Sequence, residues 1–276
     1  MYVIKSKLFP GLLIGMVGGI ILSFTFINPY NMEVALSEAV LQLSGSTGKF
    51  PLLPVFTALI SFTVRMLPNY IFEIYMGTEL YHHFCTASIY IFSRTPHRVR
   101  WYTKQILGVA IVTFLVQMMQ MFSSLCVTAM RFELVIDRAG ILLMMFHIVV
   151  YTMWFFAFTI LVNLVAIQLG SNHAFLIIGG VQFAFTALLK LVDLCQMKPE
   201  LSRYVVCMNP VAHLVVGWHV SRADEIKEVL ASPYEGMYLG SSVILMLGIC
   251  ILSAVYGMYM VYRHDFLISH MEGERG

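Results

Sequence analysis

Six apolar runs, each about as long as a lipid bilayer is thick, constrain this chain more than any other feature. An α-helix rises about 1.5 Å per residue, so roughly 20 residues cross some 30 Å of hydrocarbon. The runs lie near 8–27, 54–75, 105–129, 140–165, 174–194 and 239–262. Hydrocarbon supplies no hydrogen bonds, so a spanning segment must satisfy its own backbone, and runs of this length do so as helices. Apolar residues make up 59% of the chain and charged residues 12%, against about 25% charged in soluble domains. The expected fold class is therefore an all-α integral membrane protein: one transmembrane domain over 1–276, six helices and no soluble domain. The formal net charge of +2 gives no basic face for nucleic acid. The first run follows Lys5 and Lys7 as a signal peptide would, but it exceeds the roughly 7–15 residues of a signal core. It reads as a retained anchor.

Orientation follows from Lys and Arg placement. Arg94, Arg98, Arg100 and Lys104 cluster between the second and third runs, which puts that connection and both termini on the cytosolic side of a cell membrane. The opposite connections include 28–53 and 195–238. In the latter, Asn209-Pro210 leads an apolar run, Val211 to Trp218, too short to span and therefore re-entrant or interfacial. Ser221 then reads as a helix cap three residues before Asp224, with Pro233 closing that helix. Among Cys85, Cys126, Cys195, Cys207 and Cys250, only Cys195 and Cys207 sit where a disulfide is chemically open. The plainer reading is five buried thiols acting as small apolar residues.

Polar residues inside the runs are few and patterned. Gly11, Gly15 and Gly19, with Gly18 beside them, form a glycine strip on the first helix for close approach by another helix, within the chain or across a dimer. In the third run, Thr113, Gln117, Gln120, Ser124 and Thr128 share one helical face. In the fifth, Gln182, Thr186, Lys190 and Asp193 do the same, and Lys190 and Asp193 are spaced to neutralise one another. Such stripes either line a substrate path or make interhelical hydrogen bonds. Arg65, three residues before the kink expected at Pro68, has no partner at helical spacing and must snorkel, meet another helix or face water.

The stretch Glu73–Lys104 is the main polar interruption. Its basic, aromatic end (Arg94, Arg98, Arg100, Trp101) suits lipid headgroups or a partner protein. The chain lacks H-E-x-x-H, C-x-x-C and G-x-S-x-G motifs. His82, His83 and Cys85 are neighbours in sequence but point to different helix faces, a poor start for metal binding. Gly45-Ser46-Thr47-Gly48-Lys49-Phe50 lacks the glycine spacing of a phosphate loop and has Phe50 where a magnesium-binding hydroxyl belongs. ATP-driven work would need another chain to hydrolyse the ATP.

Glu73-x-x-x-Gly77-Thr78, followed by Arg94-x-Pro96-x-Arg98 and by Lys104 entering the third run, resembles the pattern of type 2 ATP-binding cassette exporter permeases. The Asn-Pro-led segment between runs five and six resembles that family's outer re-entrant helices. The likeness covers essentially the whole chain, and a narrower one is to the small bacteriocin-export and immunity permeases. The stretch Glu79–Ser93 is longer than that pattern has. The resemblance implies a permease subunit moving a hydrophobic or amphipathic cargo, such as a peptide, with no cofactor of its own. ATP and magnesium would act in an ATP-binding cassette subunit docked through Arg94, Arg98, Arg100 and Trp101. Glu73, Gly77, Thr78 and Lys104 would form the cytosolic gate and coupling region. Arg65, Gln117, Gln120, Ser124, Gln182, Thr186 and Lys190 would line the substrate path. A second permease subunit, the same or related, would pair through the first and fifth spans, with membrane lipid around both. Two other readings stay open: a polytopic enzyme acting on lipid through His82, His83 or His97, and a non-transporting subunit that senses or sequesters a peptide.

Overall fold

The computed structural model describes residues 2–29, 32–45, 55–82, 98–195, 198–230 and 236–263. In chain order the elements are α1 (Tyr2–Phe26), β1 (Glu33–Ala35), α2 (Leu36–Ser44), α3 (Val55–Met76), α4 (Arg98–Arg131), β2 (Glu133–Val135), α5 (Arg138–Leu169), α6 (Ser171–Leu194), α7 (Pro199–Met208), two 3-10 turns (Pro210–Leu214 and Val216–Trp218), α8 (Asp224–Lys227) and α9 (Leu239–Arg263). The fold is mostly α-helical. Among the described residues, five helices are long and apolar enough to cross a bilayer, within α1, α4, α5, α6 and α9. The chain is a multi-pass membrane protein on this pattern. The second apolar run differs from the expectation of six equivalent spans. Its helix, α3, has 22 residues, but Arg65, Asn69 and Glu73 interrupt its apolar surface, and it is not among the five.

The first helix explains how the bundle is packed. Phe9, Leu13, Val17, Ile21 and Phe24 project outward, spaced to form one lipid-facing stripe. The glycines face the other way, onto α4 and α3. A Cβ at Gly15 would lie 2.7 Å from the Val116 carbonyl oxygen; one at Gly19 would overlap the Gln120 carbonyl and the Ser123 hydroxyl, and one at Gly18 would overlap Pro68. The glycine strip is thus consumed inside the chain, by backbone-to-backbone approach of α1 and α4, and is not a free surface for a second copy.

A cap covers one end of the bundle. There β1 and β2 pair in parallel, Glu33 opposite Glu133 and Ala35 opposite Val135. Leu36, Val40 and Leu41 of α2 share a small core with Ala139 and Leu143 of α5, Val216, and Ile226 of α8. Asp137 ties this cap together, because its carboxylate accepts the backbone N–H groups of Ser37 and Gly140, each at 3.0 Å. One side chain therefore caps the N-termini of both α2 and α5. Burial alone would raise its pKa, but these hydrogen bonds outweigh burial and hold the carboxyl below its ordinary value.

The sequence reads the connection 195–238 as a structured outer cap of two short helices, and its described residues hold α7, two 3-10 turns and α8. The apolar run Val211 to Trp218 is fully buried in two 3-10 turns and not in one dipping helix. Asn209 starts the first turn, accepting from the Val211 N–H at 2.9 Å and donating to the Phe185 carbonyl at 2.7 Å. The helix α7 before it had no sequence expectation. The expected cap at Ser221 is corrected too: α8 begins at Asp224, and the Ser221 hydroxyl accepts the Ala223 N–H at 3.1 Å, forming a turn instead. Pro233 lies outside the described residues. Cys126, Cys195, Cys207 and Cys250 are free thiols, so Cys195 and Cys207 are not bridged, and only Cys250 of these is buried.

Two buried histidines fasten the 3-10 turns to α9. His213 Nδ1 and His219 Nε2 lie 2.6 and 2.8 Å from the Ser242 hydroxyl. The other nitrogen of His219 faces the Val215 and Val216 carbonyls. Burial pushes His219 down to about 4 and His213 in the same direction.

Two outcomes follow from this packing. Gly19→Leu should lower the thermal midpoint of the solubilised protein, at a cost of about 3 kcal/mol from overpacking, whereas Gly248→Ala, with nothing within 4 Å of the added carbon, should leave it unchanged. The cap should also be acid-sensitive. The folded state keeps His213 and His219 neutral while the unfolded chain binds protons below about pH 6.5. Stability should therefore be flat above that pH and fall as pH drops from there towards 4, a trend that His219→Gln should flatten in pH-resolved thermal melts.

Candidate functional site

The polar residues of the long helices converge inside the bundle. On α4, Thr113, Gln117, Gln120, Ser124 and Thr128 are all buried, as their common face requires. They form a column. At the cap end the Thr128 and Ser23 hydroxyls lie 3.0 Å apart, joining α4 to α1. Midway, the Gln117 amide donates to the Asn69 carbonyl oxygen on α3. One turn further along α3, Glu73 accepts from the Gln182 amide nitrogen of α6 at 2.9 Å on each carboxylate oxygen.

Beneath the cap the column widens into a small polar cavity lined by Arg65, Gln117, Gln120, Ser124, His147 and Tyr151, with Leu22, Leu43 and Met121 completing the wall. The space takes about one water-sized particle. Four buried atoms around it, Gln120 Oε1, Ser124 Oγ, His147 Nδ1 and the Tyr151 hydroxyl, have no hydrogen-bond partner among the described residues. His147 stacks on Tyr151, ring centroids 4.0 Å apart, as i, i+4 neighbours on α5 allow. The arrangement can hold a hydrogen-bonding particle, and it is too small for a peptide.

Arg65 meets another helix, one of the three fates open to it. Its Nε and Nη2 donate to the Gln42 carbonyl at 3.4 and 3.3 Å. This carbonyl is in the last turn of α2, where helix carbonyls lack intrahelical partners and a cation is favoured. Nη1 bonds Ser61, and the guanidinium covers the Phe26 ring at 3.7 Å. Arg65 thus joins α3 to the cap.

At the opposite end, α3 stops at Met76. Gly77 and Thr78 form a turn, and a Cβ at Gly77 would press on the Glu73 carbonyl, Val162 and Phe175. Asn163 of α5 splices this break. Its side-chain oxygen accepts the backbone N–H groups of Leu80 and Tyr81, at 2.8 and 3.2 Å. Its amide donates to the carbonyls of Met76 and Thr159 at 3.3 and 2.8 Å. Lys7 of α1 pairs with Glu79 at 2.8 Å and lies over the Tyr75 ring. The residues around the Gly77 turn are therefore held by α1, α5 and α6 at once.

The residues expected to line a path divide into two groups. Arg65, Gln117, Gln120 and Ser124 share the cavity. Gln182, Thr186 and Lys190 are buried on α6 but lie apart from it: Gln182 binds Glu73, and the Thr186 hydroxyl bonds back to the Gln182 carbonyl at 3.1 Å. The side chain of Asp193 lies outside the described set, as do residues 83–97, with His83, Cys85, Arg94 and His97. Arg98, Arg100, Trp101 and Lys104 occupy the first two turns of α4, continuous with the long helix. Arg100 and Lys104 are exposed, and Arg98 and Trp101 half-buried.

Sequence reasoning passed over Asn69, His147, Tyr151 and Asn163. Asn163 had a signal, as an isolated amide deep in an apolar run, where an unpaired polar group is costly. His147 and Tyr151 had their four-residue spacing. No protein-family model, curated protein or solved structure matches the chain.

Asn163→Leu would leave two backbone N–H groups and a carbonyl short of a partner, at about 1–3 kcal/mol each. Amide exchange at Leu80 and Tyr81 should accelerate by roughly ten- to a hundredfold, and Thr186→Ala, which loses only a bond within its own helix, should not change it.

Proposed function

We propose that the chain is the membrane-spanning permease subunit of an ATP-driven exporter of the ATP-binding cassette kind, with ATP and magnesium acting in a separate partner. The observation that carries this reading is the anchoring of the Gly77 turn. A docked motor can move a permease only if its contact region is rigidly joined to the helices that must shift. Lys7, Asn163 and Gln182 join the ends of the 73–82 stretch to α1, α5 and α6, so force delivered there reaches three helices together. The family-like pattern Glu73-x-x-x-Gly77-Thr78 falls on this same stretch, and Glu73 and Gly77 both make contacts that hold it.

The rest of the arrangement agrees with that role. In this reading α3 is the sixth span, its polar residues turned inward onto the column, and the buried turns 210–218 are the re-entrant element between the last two spans. Both termini and the segment between α3 and α4 face the cytosol of a cell membrane. The single-particle cavity and the column are the closed form of the path, which parts along the α3–α6 contact to admit a hydrophobic or amphipathic cargo, a peptide among them. Since α4 occupies the glycine face of α1, a second permease subunit pairs through outward-facing surfaces of the bundle.

Arg100 and Lys104 are the exposed cations at the start of α4, one turn apart, and suit an acidic contact on the motor. Replacing both with Ala should weaken co-purification of a co-expressed cassette ATPase by roughly tenfold or more, the scale of a single hot spot, with membrane insertion unchanged. Undiminished complex formation would remove these residues from the docking surface.

A further inference from the structure

Glu73 is 4% exposed, and among the described residues it has no ion-pair partner. Its contact with Gln182 is lopsided. One amide nitrogen serves both carboxylate oxygens, while Gln182 Oε1, also buried, has no partner among the described residues. A carboxylate has no hydrogen to offer that oxygen. A carboxylic acid has one. With a proton on Glu73, the acid O–H donates to Gln182 Oε1 and the amide N–H donates to the acid carbonyl, closing a two-bond ring in which neither side chain has an unpaired oxygen.

The surroundings favour such a neutral pair. The titratable side chain on which Glu73 acts is Tyr70, one turn back on α3, and it supplies no positive charge. Asn69, also on α3, is neutral, and its buried amide nitrogen has no partner among the described residues. From α5, the Asn163 side chain is committed to backbone groups. On α6 the next cation, Lys190, is eight residues beyond Gln182, about 12 Å along the helix, and has interactions of its own. A carboxylate buried without a cation carries a large desolvation cost, and binding a proton removes it.

We propose that Glu73 and Gln182 form a proton-binding site, in which a proton taken up by the Glu73 carboxylate converts a bifurcated contact into an acid–amide ring between α3 and α6. One O–H bond forms on Glu73 as an O–H bond of the donating hydronium breaks and leaves water. The site lies one turn before the Gly77 break, so gain or loss of the proton changes how tightly α3 and α6 are joined where the break is anchored. A chain with such a site couples helix contact to proton concentration, a function separate from ATP hydrolysis and independent of which motor, if any, docks.

Infrared spectroscopy of the full-length protein in lipid reads the protonation state directly. At neutral pH the wild type should show the carbonyl stretch of a protonated carboxyl group, and Glu73→Gln, which keeps a neutral amide in the same place, should abolish it. Gln182→Leu removes the ring partner without touching the acid and should move the band to the position of a carboxyl lacking that hydrogen bond. It also serves if Glu73→Gln fails to fold. Wild-type and Glu73→Gln spectra that superimpose in this region would overturn the proposal, and so would a band that Gln182→Leu leaves unmoved.

Discussion

A polar side chain turned towards hydrocarbon finds no hydrogen-bond partner, so those on the long helices must find partners within the chain. That requirement sets which face of each helix looks inward. On α4 it aligns Thr113 to Thr128 with the backbone of α1 and with Asn69 of α3. On α3 it turns Asn69 and Glu73 onto Gln117 and Gln182. Each bond is worth only about 0.6 kcal/mol on average in a membrane protein. Their effect is positional: rotating any one helix would strand several polar groups at once. The glycines of α1 complete the arrangement, since without a backbone-to-backbone approach α1 could not close over the column.

The two ends of the column are built differently. At the cap, the joints are a guanidinium on a helix C-terminus and one carboxylate on two helix N-termini, so Arg65 and Asp137 bind backbone groups that would otherwise be orphaned. At the other end, Asn163 does for the α3 break what Asp137 does for the cap, satisfying the backbone where a helix stops and another turn begins. Between them lie the cavity and the Glu73–Gln182 contact, where several buried polar atoms have no partner among the described residues.

Local periodicity made part of this legible in the sequence. The offsets of Gln117, Gln120 and Ser124 identify one face of a helix regardless of what covers it, and the structure puts that face inside. The glycine strip likewise announced a close contact. Its partner was hidden, because nothing in Gly11 to Gly19 distinguishes α4 from another molecule. Arg65 shows the same gap: its partner is the Gln42 backbone carbonyl, which any residue type would supply. The cap was least legible of all. β1 and β2 are three residues each and pair although α2, α3 and α4 all lie between them in sequence, and α2 has nine residues in a stretch that reads as a connection. Such short elements are held by what they pack against, not by their own pattern.

The central claim is that this bundle is the moving part of a machine whose motor is another chain. Purification from native membranes in a mild detergent, with measurement of the nucleotide hydrolysis that accompanies the chain, tests it most directly. The account predicts magnesium-dependent ATPase activity that co-migrates with the chain in fixed proportion and belongs to a second polypeptide. A homogeneous chain that carries no such polypeptide and no ATPase activity under conditions that keep membrane complexes intact would contradict it.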